Sequence, residues 1–215
     1  MKPKRIIIVR HGESEGNVDP KIYSKQPDSD IVLTVVGREQ AAEAGRKIAG
    51  LIGTERFGVF VSPYARTLQT LEGICGQLPG QAVFVYQDPR LREQDCGILP
   101  AVEEAERNWE VRRNYGRFFY RFPGGESCAD VFDRMSTFFE TLHRRFQRED
   151  FPENILIVSH GASIKCFLAR WYHWEVKYFE ELPFSPPNCH TVVMSLKANG
   201  DDYDLTEPFG SHFFI

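Results

Sequence analysis

The chain has 215 residues, long enough for one ordinary domain with a substantial core or for two very small ones. It is 42% hydrophobic and 26% charged with 17 Phe, a globular composition. Its formal net charge of −4 argues against a general nucleic-acid binder, which needs excess Lys and Arg to neutralise backbone phosphate, but leaves room for a local Arg cluster around a small phosphorylated ligand.

The N-terminal MKPKRIIIVRHGES places a short apolar run after basic residues, too short for a signal-peptide core, and no stretch approaches the ~20 apolar residues of a membrane span. Cys75, Cys96, Cys128, Cys166 and Cys189 are scattered and never spaced as CxxC, which fits free thiols in a reducing compartment better than disulfides or a zinc site. A cytoplasmic protein with no membrane partner is expected, and the spacing of the His residues predicts no metal.

Residues 6–9 form a continuous apolar run, the pattern of a strand covered on both faces. Thr34 is the expected N-cap of a helix to about Leu51, with Ala41, Ala42, Gly45, Ile48, Ala49 and Ile52 inward. Residues 59–61 read as a second strand, and Ser62-Pro63 as a helix entry with Pro near the first turn. Residues 83–86 read as a third strand. The clearest helix runs from Ser127 to about Phe146, with Val131, Phe132, Met135, Phe138, Phe139, Leu142 and Phe146 on one face. A fourth strand, 155–158, leads through Ser159-His160-Gly161 into a helix over 162–171. Residues 191–196 and 203–205 read as late edge strands, and Trp171, Tyr172, His173 and Trp174 as packing at a helix end.

No repeat or low-complexity linker divides the chain, so residues 1–215 are expected to form one domain. Strands alternating with helices through short connections predict a mainly parallel sheet with helices on both faces, and ligands bind beyond the carboxyl ends of such strands. The polar groups that follow the four strands should therefore meet at one edge.

Arg10-His11-Gly12 carries the strongest signal there. A His at the end of a buried strand sits on a rigid support, and the glycine lets a ligand approach the backbone. Neutral imidazole can attack phosphorus if one ring nitrogen is unprotonated, and a backbone carbonyl bonded to the other can fix that tautomer. The competing reading is a core His beside an Arg in a surface ion pair. Arg10 and Arg66 can match phosphoryl oxygens with planar guanidinium groups, Arg66 from the first turn of a helix whose free N–H groups add to the site. His160 and the Gly161 N–H are candidate donors to the same oxygens. A leaving oxygen needs a proton, and Glu93 is the candidate: a carboxylate near bound phosphate has its charged form disfavoured. Asp95 is the rival, and a solvated acidic loop the alternative.

Arg10-His11-Gly12-Glu13-Ser14-Glu15-Gly16-Asn17, Leu33-Thr34-x-x-Gly37-Arg38, Val61-Ser62-Pro63-x-x-Arg66-Thr67-x-x-Thr70, Leu91-Arg92-Glu93 and Val158-Ser159-His160-Gly161 together resemble the histidine phosphatase superfamily, whose fold is phosphoglycerate mutase-like. The resemblance implies a three-layer α/β/α sandwich, a phosphohistidine on His11, a phosphate pocket of Arg10, Arg66 and His160, proton donation by Glu93, and phosphate contacts from Ser14 and Asn17. Glu93-Gln94-Asp95-x-Gly97, followed by Arg117 to Ser127, is similar to a group of plant and fungal phosphoglycerate mutase-like proteins. Cofactor-dependent mutases instead follow the equivalent Glu with an Arg-His-Tyr-Gly type sequence and carry a long basic insertion. Hydrolysis of a small phosphorylated metabolite, with no cofactor, is therefore expected. A bisphosphoglycerate-dependent mutase and a non-catalytic phospholigand-binding protein are the alternatives.

Residues 98–126 are expected to cap the site. Glu103, Glu104, Glu106 and Glu110 alternate with Arg107, Arg112 and Arg113 as in a solvated helix. Arg117 and Arg121 lie among Phe118, Phe119, Tyr120 and Phe122. Either the aromatics are core and the Arg solvated, or one Arg turns inward to hold a second anion. Cys96 likewise admits two readings, a redox-sensitive thiol whose oxidation would crowd the leaving group or an inert half-buried one.

Overall fold

The computed structural model describes residues 2–97, 102–182 and 185–205, with the backbone alone for 102–106. Strands β1 (Arg5–Arg10), β2 (Phe57–Val61), β3 (Val85–Gln87), β4 (Asn154–Ser159), β5 (Thr191–Leu196) and β6 (Tyr203–Leu205) form one sheet in the order β3-β2-β4-β1-β5-β6. β3, β2, β4 and β1 are parallel, while β5 runs antiparallel to both β1 and β6. β5 is therefore interior, not the edge strand its sequence predicts. Its alternating burial resembles an edge strand, but β6 supplies a second hydrogen-bonding neighbour.

The helices are α1 (Glu15–Val18), α2 (Val35–Ile52), α3 (Ala65–Cys75), α4 (Val102–Tyr115), α5 (Cys128–Phe146), α6 (Gly161–Trp171) and α7 (Val176–Glu181). Period-two alternation in the strands sorts the core into two layers. Ile6, Ile8, Phe60, Ile155 and Ile157 pack with Val131, Met135, Phe138 and Leu142 of α5 and with Ile164, Phe167 and Leu168 of α6. Ile7, Val9, Val59, Val61, Leu156 and Val158 pack with Ala44, Ile48 and Ile52 of α2 and with Leu71 and Ile74 of α3. Each such side chain contributes about 1.5–3 kcal/mol on burial, which holds the three-layer α/β/α arrangement together.

Thr34 caps α2 as expected, its hydroxyl accepting from the Gly37 N–H. The buried stripe is Gly37, Ala41, Ala44, Gly45, Ile48 and Ile52, so Ala44 replaces the predicted Ala42 and Ala49, which are half-buried. Small residues are needed on this stripe because α3 packs closely: a Cβ on Gly45 would lie 2.7 Å from the Ile74 carbonyl oxygen. Ser127 caps α5 in a capping box with Asp130. β3 starts later than predicted and its residues are exposed at the sheet edge, although the Val83 N–H already pairs with the Phe57 carbonyl at 2.8 Å. Trp171 stacks on Phe167 at 5.8 Å, as expected for packing at a helix end. Residues 212–215 and the side chains of Glu103, Glu104 and Glu106 lie outside the described residues. No helix among the described residues is long and apolar enough to cross a membrane.

Candidate active site

The parallel strands deliver His11, Ser62, His160 and the loop holding Glu93 to one edge of the sheet. Antiparallel β5 brings the chain just before Thr191 to the same edge. Here the His11 N–H donates to the Ser159 carbonyl at 3.0 Å, and the His11 carbonyl accepts from the Cys189 N–H at 3.2 Å and from Asn188 Nδ2 at 3.1 Å. The backbone of His11 is thus fixed from both neighbouring strands.

His11 Nδ1 lies 2.7 Å from the carbonyl oxygen of Gly12. A carbonyl only accepts, so the proton sits on Nδ1 and the Nε2 lone pair is free. The side chain is 4% exposed. Burial holds its pKa well below the ordinary value, and the Arg66 and Arg10 guanidinium groups push in the same direction. Neutral imidazole is therefore the resting form at neutral pH. The turn is made tightly: a Cβ on Gly12 would lie 2.4 Å from the Gly37 carbonyl oxygen, and one on Gly37 would lie 2.0 Å from that of Glu13. The Gly12 N–H donates to Thr70 Oγ1 at 3.0 Å, and that hydroxyl donates to the Arg66 carbonyl at 2.7 Å. Thr70 therefore ties the His11 turn to the helix that carries Arg66.

Arg66 is buried in the first turn of α3, over the Tyr64 ring at 5.0 Å. Its Nη1 donates to the Asp28 carbonyl at 2.7 Å and pairs with Asp28 Oδ1 at 2.8 Å. Arg10 donates from Nη1 to the Pro186 carbonyl, while its Nε is buried without a partner. Burial also lowers the Arg10 pKa from its ordinary value. An unpartnered buried guanidinium N–H beside His11 is a ready donor for an anion.

His160 lies beside His11, with ring centroids 5.2 Å apart, and is fully buried. Its Nε2 meets Ser62 Oγ at 2.8 Å, and its Nδ1 has no partner. Burial and the Arg66 charge hold it well below the usual histidine range. Gly161 opens α6, where a Cβ would lie 1.9 Å from Ser185 Oγ, so the glycine admits Ser185 to the pocket wall.

The Glu93 carboxylate sits on the N-terminus of α6. It accepts from the Ala162 N–H at 3.3 Å, the Ser163 N–H at 3.2 Å and its neighbour Gln94 N–H at 2.9 Å. Its loop is anchored by Ser159 Oγ donating to the Leu91 carbonyl at 2.8 Å and by Arg134 Nη2 donating to the Glu93 carbonyl at 3.2 Å. Asp95, the rival acid, is exposed and accepts from the Gly97 N–H at 2.8 Å. Glu93 is the carboxylate that the fold holds in place.

Arg10, His11, Asn17, Arg66 and Glu93 line one pocket of about 780 Å³, together with Tyr23, Asp28, Tyr64, Asp95, Cys96, Trp109 and Ser185. A larger cleft of about 900 Å³ between α2 and residues 187–193 does not reach His11. His160 and Gly161 adjoin the pocket without lining it. Ser14, expected as a phosphate contact, is fully buried away from the pocket: its N–H and Oγ both donate to Asn17 Oδ1, at 3.0 and 3.1 Å. It orients Asn17 instead, whose Oδ1 also accepts from Asn188 Nδ2 at 3.1 Å.

Arg117 and Arg121 do not join the site. Arg117 approaches Glu180 at 3.8 Å and Arg121 pairs with Asp130 at 2.5 Å, while Phe118 and Phe122 between them are buried. Cys96 lines the pocket, but burial and the nearby Glu93 push its pKa up to about 12, so it is a thiol rather than a reactive thiolate. Asp28, Tyr23, Trp109 and Asn188 carried no sequence signal, because each reaches the site through a loop or helix distant in sequence. No group of three or more His, Cys, Asp or Glu among the described residues is placed to hold a metal ion.

The model of the histidine phosphatase superfamily (branch 1) matches residues 6–206. The chain is 44% identical over 217 residues to the phosphoglycerate mutase-like protein AT74H of Arabidopsis thaliana, covering 94% of this chain and 77% of that protein. It is 26% identical over 297 residues to the broad-range acid phosphatase DET1 of Saccharomyces cerevisiae, covering 95% and 89%. Among solved structures, a mycobacterial glucosyl-3-phosphoglycerate phosphatase, Rv2419c, shares the fold with a TM-score of 0.74 at 22% identity, covering 97% of this chain and 99% of that one. With the match running from β1 to β6 and His11, Arg10, Arg66 and His160 gathered at the sheet's carboxyl edge, the chain belongs to the histidine phosphatase superfamily, branch 1.

Proposed function

We propose that the protein is a metal-independent phosphomonoesterase acting on a small phosphorylated metabolite through a phosphohistidine on His11. The observation that carries this reading is the Nδ1 contact to the Gly12 carbonyl, which leaves Nε2 of a neutral ring unprotonated within the field of Arg66 and Arg10. In the first step the Nε2–P bond forms as the bond from phosphorus to the leaving oxygen breaks. Glu93, protonated, gives its proton to that oxygen. In the second step water attacks phosphorus, Glu93 takes the water's proton, and the N–P bond breaks to release phosphate and neutral His11. Arg10 and Arg66 offset the charge on the equatorial oxygens, the largest contribution in such reactions. His160 steadies the His11 ring and offers Nδ1 to the same group.

Transfer to water rather than to a second phosphorylated acceptor is supported by Gln94. Its side chain is occupied, with Nε2 donating to the Glu126 carbonyl at 2.8 Å and Oε1 accepting from Arg112 at 3.4 Å. The chain reads as one domain in which residues 98–126 cap the pocket, supported by Trp109 and Gly124 in its lining. The five free cysteines support a reducing, cytoplasmic setting.

The test is a rapid mix with ³²P-labelled aryl phosphate and an alkaline quench, which preserves phosphohistidine. Labelled wild-type enzyme and unlabelled His11→Ala are expected, with hydrolysis abolished in the variant. Glu93→Gln should slow esters with poor leaving groups far more than nitrophenyl phosphate. Full turnover in His11→Ala would end the reading.

A further inference from the structure

We propose that the substrates are phosphate monoesters whose leaving group carries no negative charge, and that the pocket beyond the phosphoryl site receives a neutral or cationic, flat-faced group. This rests on the phosphomonoesterase reading and narrows it. Among the described lining residues the cations are Arg10 and Arg66, and both flank His11, where they depress its basicity. They serve the transferred phosphoryl group. Two carboxylates, Asp28 and Asp95, also line the pocket, and Glu93 enters the reaction protonated and so adds no charge. Asp28 already occupies part of Arg66, and Asp95 is exposed at the pocket with its charge unmatched by any ion pair among the described residues.

Arg112 stands close to the lining, buried, with its guanidinium over the Trp109 ring and donating to Gln94 Oε1 at 3.4 Å. The chain's 26 Lys and Arg all fall among the described side chains, and the stretch 98–106 contains none. Arg92, the basic residue next to Glu93, is turned away into an ion pair with Glu126. A second phosphate or a carboxylate on the substrate would thus meet the unpaired Asp95, while Arg10 and Arg66 are taken up by the transferred phosphoryl group. At an effective dielectric near 20, such unmatched contacts at several ångströms weaken binding about tenfold or more.

What the pocket offers instead is aromatic surface. Trp109 lines it and is held rigidly, edge-on to Phe122 at 5.2 Å with the Arg112 guanidinium over its ring at 5.1 Å. Tyr23 and Tyr64 add two phenol rings. The Trp109 and Tyr64 rings each carry a guanidinium over one face, and the remaining aromatic surface stacks on flat groups without a charge of its own to match an anion.

The experiment measures kcat/KM of the full chain for phosphocholine, glycerol 3-phosphate, nitrophenyl phosphate and 3-phosphoglycerate. Calorimetric binding of the same four esters to His11→Ala runs alongside. The three esters that carry no second anionic group are expected to exceed 3-phosphoglycerate by about tenfold or more in kcat/KM and in affinity. Asp95→Asn keeps the acceptor for the Gly97 N–H and should narrow that gap severalfold. Trp109→Ala should weaken nitrophenyl phosphate several times more than glycerol 3-phosphate. Equal or better use of 3-phosphoglycerate, with equal or tighter binding to His11→Ala, overturns the inference. A charge preference in binding without any turnover by the wild type would keep the inference and overturn the phosphomonoesterase reading.

Discussion

Arg66 Nη1 lies 2.8 Å from Asp28 Oδ1 and 2.7 Å from the Asp28 carbonyl oxygen, so a carboxylate of the protein occupies part of the guanidinium fork that a phosphoryl group would use. The backbone contact survives if the charge is removed. Asp28→Asn is therefore expected to strengthen competitive inhibition by inorganic phosphate about three- to tenfold and to lower KM, with kcat changed little. Weaker phosphate inhibition in this variant would mean that the carboxylate is needed to hold Arg66 in place.

The two buried imidazoles make stability depend on pH with a definite sign. His11 and His160 are both held well below the ordinary value of 6.5, by burial first and then by Arg66. In the unfolded chain they take up protons as pH falls below that value, while the folded protein leaves them neutral. Their contribution is thus complete above pH 6.5 and is lost as pH falls from there toward the folded values. For the pair the loss approaches ~2.7 kcal/mol per pH unit, about 1.4 for each group. Urea midpoints at pH 7.5 and 5.5 should show this drop, and His160→Gln should reduce it by about half. A midpoint that does not fall would contradict the depressed basicity of both rings.

Gly37 explains why a segment far from any phosphate belongs to the recognisable pattern. Its Cα faces the turn that carries His11, and an added Cβ would collide with the Glu13 carbonyl at 2.0 Å. Backbone cannot swing aside as a side chain can. Gly37→Ala should lower stability by about 1–3 kcal/mol and cut kcat more than it changes KM, since the His11 turn must shift. Thermal melts and steady-state kinetics on the same preparation would separate the two effects, and unchanged kcat would show that the turn tolerates the displacement.

Cys96 lines the pocket, yet its pKa is pushed up to about 12. The thiolate that reacts with peroxide is then scarce at neutral pH. Inactivation by mild peroxide is expected to proceed at the same rate in Cys96→Ser as in the wild type. Selective protection by the substitution would restore the redox-sensitive reading that the sequence leaves open.

The placement of the reactive groups was legible because each follows a strand whose apolar run announces itself. Arg10 and His11 follow β1, Arg66 comes one turn beyond β2, and His160 follows β4. Even the tautomer of His11 was open to inference, since a residue at a strand end commonly finds a carbonyl for its ring N–H. Ser14 was misplaced because spacing along a loop does not say which way a hydroxyl turns. In the fold it points back into the turn and positions Asn17. Arg117 and Arg121 were ambiguous for a similar reason, as their partners Glu180 and Asp130 are selected only once α7 and α5 are packed. Trp109 and Asp28 reach the pocket, and Asn188 the His11 carbonyl, through tertiary contacts alone. The interior position of β5 was hidden by its one-sided burial, which hydropathy cannot distinguish from an edge strand.

That interior position has a consequence for how the protein is made. β1 is made well before its partners, β4 at residues 154–159 and β5 at 191–196, which lie some 150 residues or more downstream. The backbone of His11 is held by Asn188 and Cys189, from the same late stretch. An apolar strand must therefore wait unpaired until residues 154–159 are made, a high-contact-order route that is slow and exposed to aggregation. Arrest of the nascent chain before residue 188 should leave β1 paired with β4 but the His11 carbonyl without its contacts to Asn188 and Cys189.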